Sequence, residues 1–68
     1  MIMNKVDGAK LRELRYGREL TQVELSSQSG VNRRTISNIE NGYNSVTLKT
    51  LNKLAAILNV EASQLISG

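Results

Sequence analysis

At 68 residues the chain has room for one small domain, and it contains neither Cys nor His. Ser–His, Cys–His and zinc constellations are therefore excluded, and the six carboxylates show no metal-ligand or EF-hand spacing. The expectation is a protein that is not an enzyme and needs no metal or cofactor.

Nine Lys and Arg against six Asp and Glu give a net charge of +3, which favours an anionic partner. Tyr16 and Tyr43 are the only aromatics. Modules for single strands and RNA stack bases on aromatic platforms, whereas duplex DNA requires none. The longest apolar runs are four or five residues, such as Leu54 to Leu58, against about 20 for a bilayer span. No export signal is read at the N-terminus, so the expected setting is the cytoplasm, with no membrane partner.

Residues 1–7 read as an N-terminal arm, and residues 8–66 as the domain. Pro is absent, and scarce β-branched alternation favours helices throughout. Asp7 can cap a first helix from about Gly8 to Arg18, with Leu11 and Leu14 on one face. Thr21 and Glu24 spell a T-x-x-E capping box that opens a second helix, Gln22 to about Ser29, and Gly30 suits its left-handed stop. Asn32 can cap a third helix, Arg33 to Asn41, closed by Gly42. Thr47 can cap a fourth, Leu48 to Leu58, in which Leu48, Leu51, Leu54, Ala55 and Leu58 follow helical spacing and Asn59 is the stop. A last turn, about Ala62 to Ile66, completes an expected all-α bundle of five short helices. Only three residues separate the second and third, the short link of a helix-turn-helix over about 21–42.

On a wheel of 100° per residue, Ile36 and Ile39 set the buried side of the third helix. Arg34, Ser37, Asn38 and Asn41 fall on the far side and Arg33 on its shoulder. Guanidinium, hydroxyl and amide groups are those that read base edges. A plain solvated face is the alternative, but such faces usually mix Glu with Lys, and this one holds no acid. Glu40 falls beside the isoleucines, and Arg15, four residues after Leu11, leans inward on the first helix. An ion pair between helices one and three is expected, fixing orientation more than adding stability.

Three segments carry a family resemblance: L-T-Q-x-E-L at Leu20 to Leu25, T-I-S-x-I-E-N-G at Thr35 to Gly42, and K-L-A-x-x-L-x-V at Lys53 to Val60. In this order and spacing the chain resembles the lambda-repressor-like (XRE, phage repressor and Cro-type) helix-turn-helix family from about Gly8 to Ile66. The resemblance implies a five-helix DNA-binding domain whose third helix, about 33–41, enters the major groove, usually as a two-fold dimer on a pseudo-palindromic operator. By position, Arg33, Arg34 and Asn38 resemble base-reading residues, with Ser37 nearby. Gln22 resembles the residue that contacts phosphate and braces the recognition helix. Asn41 resembles a backbone contact, and Thr21, Asn32 and Tyr43 join the phosphate-positioning set. Arg15 and Glu40 match the family's inter-helix ion pair.

The chain departs from the family pattern at Ser26, where Ala is favoured, and at Ser29, where an aliphatic is. Both add hydroxyls that need partners. Asn59 replaces a common Gly and Val46 a common Pro. Val60, Leu65 and Ile66 gather at the C-terminal end, where the family usually pairs, and are the expected homodimer contacts; the alternative is that they cap the chain's own core. The leading functional expectation is a sequence-specific duplex-DNA-binding transcriptional repressor. Two alternatives are the antitoxin or restriction–modification controller, and a protein-interaction module that kept the fold without binding DNA. Regulation would then come through concentration, a regulatory protein partner, proteolysis or a larger parent chain.

Overall fold

A computed structural model describes residues 3–42 and 45–67, with the side chain of Met3 outside the description. Four α-helices follow one another: α1 (Gly8–Gly17), α2 (Gln22–Ser29), α3 (Arg33–Glu40) and α4 (Leu48–Leu58), with a 3₁₀ turn at Ala62–Leu65. The chemistry that starts each helix lies in the residue before it. Asp7 Oδ1 accepts from Lys10 N at 3.1 Å and Asn32 Oδ1 from Arg34 N at 2.7 Å. Thr47 Oγ1 accepts from Thr50 N at 3.3 Å. At α2 both halves of the capping box form: Glu24 N donates to Thr21 Oγ1 and Thr21 N to Glu24 Oε1. The Thr21 backbone N–H, with the Thr21 hydroxyl beside it, holds the exposed Glu24 carboxyl below its ordinary pKa. Gly30 (φ 77°) and Asn59 (φ 58°) end α2 and α4 in the left-handed region.

The helices close around Leu11, Leu25, Ile36, Ile39, Leu51 and Leu54, all fully enclosed. Burial along α4 begins at Leu51; Leu48, the expected first member of its apolar stripe, is 51% exposed. Among the described residues no buried side-chain nitrogen or oxygen lacks a hydrogen-bond partner.

A small β-ribbon was not expected. Strand β1 (Met3–Lys5) pairs antiparallel with β2 (Ser45–Thr47), with Asn4 opposite Val46. The residues that follow β1 pair on with the C-terminal end of the chain. Val6 bridges Ile66, Asp7 N donates to Leu65 O at 2.8 Å, and Ser67 N donates to Lys5 O at 2.8 Å. The expected N-terminal arm, residues 1–7, is thus over its described part a strand held between β2 and residues 65–67. Val6 and Val46 both enter the core.

The same pairing corrects the expectation for Leu65. It is fully enclosed within its own chain, so it offers no surface to a second subunit. Ile66, the next residue along an extended segment, is turned the other way and is 40% exposed. Val60 is half-buried and packs on the core.

Gly8, at the start of α1, is buried against α3, and a Cβ there would collide with the carbonyl oxygen of Ile39. Backbone meets backbone at this point, so neither helix can yield by turning a side chain. Gly8→Ala is expected to cost about 1–3 kcal/mol in urea unfolding. Unchanged stability would mean that α1 shifts freely away from α3.

Candidate nucleic-acid interface

The turn between α2 and α3 is stapled by two hydroxyls. Ser26 Oγ donates to Val31 O at 2.6 Å, and Ser29 Oγ accepts from Val31 N at 3.1 Å. Both departures from the family pattern therefore satisfy the backbone of the one buried residue in the turn, Val31. A buried peptide left unpaired would cost about 1–3 kcal/mol, so each serine has a local use that an alanine could not fill.

From this turn α3 runs with Ile36 and Ile39 enclosed and Arg33, Arg34 and Asn38 exposed. Ser37 is half-buried, and Asn41 Nδ2 approaches its Oγ at 3.5 Å. The base-reading candidates thus lie on the surface side of α3, with Asn41 at its end as the C-cap. The side chains of Thr21 and Asn32 are exposed and already accept the capping bonds of α2 and α3. Tyr43 lies outside the described residues.

Glu40 carries the sole acidic group of α3 and faces inward, 8% exposed. Arg15 meets it with Nε on Oε2 at 2.8 Å and Nη2 on Oε1 at 2.9 Å, a bidentate pair. Arg15 itself is 5% exposed and also donates Nη1 to Leu20 O at 2.7 Å, tying in the segment that leads to α2. Its guanidinium lies 4.6 Å from the ring centre of Tyr16. Gln22 Nε2 donates to Glu40 Oε1 at 3.2 Å, so the first residue of α2 braces the last residue of α3.

A second arginine joins, one that the sequence reading missed. Arg12 Nε reaches Glu40 Oε1 at 3.3 Å, and its Nη2 reaches the Glu40 carbonyl at 3.4 Å. Its signal was present: Arg12 lies three residues before Arg15, hence on the same face of α1. Burial pushes the Glu40 carboxyl up. The hydrogen bonds from Arg15, Gln22 and Arg12, with the nearby Arg15 charge, outweigh this and hold its pKa below the usual carboxylate range. Arg15 is correspondingly raised, chiefly by its bond to Glu40 and against its own burial.

The depressed pKa links this cluster to acid stability. The folded state favours the Glu40 anion, so its contribution is full above the unfolded pKa, ordinarily about 4.3, and is lost as pH falls through the lower folded value. Chemical denaturation of Glu40→Gln should show a loss at pH 7 and a flatter decline into acid than wild type. A variant curve parallel to wild type across that range would remove Glu40 from the acid response.

The helix-turn-helix family model matches residues 11–65. An uncharacterized HTH-type transcriptional regulator of Bacillus subtilis, RghRB, is 44% identical over 62 residues, covering 90% of this chain and 45% of that protein. The cryptic phage CTXphi transcriptional repressor RstR of Vibrio cholerae is 37% identical over 59 residues, covering 87% of this chain and 53% of that protein. The chain thus spans about half the length of these two relatives. Among solved structures, the restriction-modification controller protein C.AhdI of Aeromonas hydrophila superposes with a TM-score of 0.80 at 37% identity, over 87% of this chain and 89% of that one. The chain belongs to the helix-turn-helix family of the lambda-repressor-like, Cro/C1 (XRE) type.

Proposed function

We propose that the chain is a sequence-specific duplex-DNA-binding transcriptional regulator, a repressor that acts by occupying an operator, and not an enzyme. One observation carries this: the sole acid of α3 is turned inward and neutralised, so the outward face presents Arg33, Arg34 and Asn38 with nothing to repel phosphate. Arg33, Arg34, Ser37 and Asn38 would read base edges in the major groove. Gln22, Thr21, Asn32 and Asn41 would set the register on the sugar-phosphate backbone without specifying sequence. The transcriptional repressor among the relatives supports repression as the outcome.

A homodimer would place two copies of α3 on half-sites about 34–36 Å apart. With Leu65 enclosed, Ile66 and Val60 remain as its apolar contacts. They lie at the end of the chain where an open groove is lined by Ala55, Ala56, Asn59, Val60, Glu61 and Gln64. A second reading, the controller of a restriction–modification locus, is favoured by the likeness to C.AhdI over 89% of its length. An endonuclease gene beside the coding sequence would select it.

Selection on random DNA tests the base-reading set. Arg34→Ala should lose preference at one position per half-site, at about 1–3 kcal/mol, while Gln22→Ala should weaken all sequences alike. Identical sequence preferences for wild type and Arg34→Ala would remove Arg34 from the reading set. For pairing, Ile66→Lys should lower cooperativity on two half-sites and leave a single half-site unaffected. Equal affinity per half-site on both duplexes, in wild type and variant, would mean that the subunits do not pair there.

A further inference from the structure

The Glu40 cluster holds more positive charge than it needs. Arg15 alone gives the carboxylate two short bonds, and both side chains are enclosed, at 7% and 1% exposure. Arg12 comes second, through contacts of 3.3 and 3.4 Å, with 45% of its side chain exposed. Two guanidiniums against one carboxylate leave a positive charge uncompensated, and the exposed partner carries it.

The position of that charge is specific. Arg12 Nε and Gln22 Nε2 both lie within 3.3 Å of the same oxygen, Glu40 Oε1. Arg12 therefore stands beside the first residue of α2 and the last of α3, at the rim of the surface assigned to DNA. Its bond to the Glu40 carbonyl sets a cation at the C-terminal end of α3, where the helix dipole favours one. Nε and Nη2 are anchored, and among the described residues Nη1 has no protein partner.

We infer that Arg12 is a phosphate-binding residue, which anchors one edge of its guanidinium on Glu40 and offers the rest to a phosphodiester oxygen of bound duplex. The inference rests on the DNA-binding reading above. A planar guanidinium held at two points is pre-organised, so little further ordering is needed when the phosphate arrives. Because the same side chain holds the end of α3, a phosphate at Arg12 would fix that helix against the duplex backbone. It would add affinity and salt dependence but no base preference.

Fluorescence anisotropy with a short duplex of random sequence, over a series of salt concentrations, tests this. Circular dichroism at the same temperature shows that each variant is folded. Arg12→Gln removes the charge but keeps an amide that can donate to Glu40; Arg12→Met keeps the aliphatic stem; Arg12→Lys keeps the charge. The slope of log K against log salt should become shallower by about 0.9 in the Gln and Met variants and stay at the wild-type value in the Lys variant. A tie that is only structural would lower thermal stability and leave the slope alone. If wild type binds and either folded, uncharged variant keeps its slope, the inference is overturned. If wild type shows no salt-dependent binding to duplex, the DNA-binding reading falls and Arg12 with it.

Discussion

A carboxylate enclosed among helices must be neutralised where it stands, and the arrangement of this domain follows from how Glu40 meets that demand. Its partners come from two other helices: Arg15 and Arg12 from α1, Gln22 from α2. Each contact constrains α3 in a different direction, so the cluster sets both its position and its rotation. Stability is a lesser product, because desolvation offsets much of the attraction within a buried pair. Rotation is the product that bears on the proposed function. With Glu40 and the two isoleucines inward, Arg33, Arg34 and Asn38 are left outward.

The remaining structure supports that orientation from its two ends. At the start of α3, Ser26 and Ser29 fix the turn through Val31, and Asn32 caps the helix. At its far end the backbone of Ile39 lies against Gly8, so α1 cannot shift without disturbing α3. The ribbon and the pairing of Val6 with Ile66 close the opposite side of the core, placing Val6, Val46 and Leu65 under the helices. In 68 residues without a cysteine, these strand contacts supply closure that the helices alone would lack.

Much of this was legible in the sequence because it is local. Caps, stops and the inward tilt of Glu40 depend on residues three or four apart, and Asp7, Thr21, Asn32, Thr47, Gly30 and Asn59 all act as their chemistry indicates. The ribbon was not legible: its strands are three residues each, too short for alternation, and Asn4 meets Val46 across most of the chain. Missing the ribbon also explains the error at Leu65. The family pattern points Leu65 towards a second subunit, whereas the segment through Val6, paired with Ile66, helps to enclose it in its own chain. Leu48 erred the other way, since its spacing fits the apolar stripe but the core ends one turn short of it. Arg12 was hidden because the wheel assigned Glu40 one partner, and Arg15 already satisfied it.

If α3 reads duplex DNA as proposed, the Arg15–Glu40 pair acts on that binding through the orientation of the helix. A double-mutant cycle of Arg15→Met and Glu40→Leu, read as duplex affinity under conditions where all four proteins are folded, measures this most directly. Each single change should weaken binding, and the double variant should be little worse than the weaker-binding single, a coupling of about 0.5–3 kcal/mol. Losses that simply add, or affinity unchanged throughout the cycle, would contradict it.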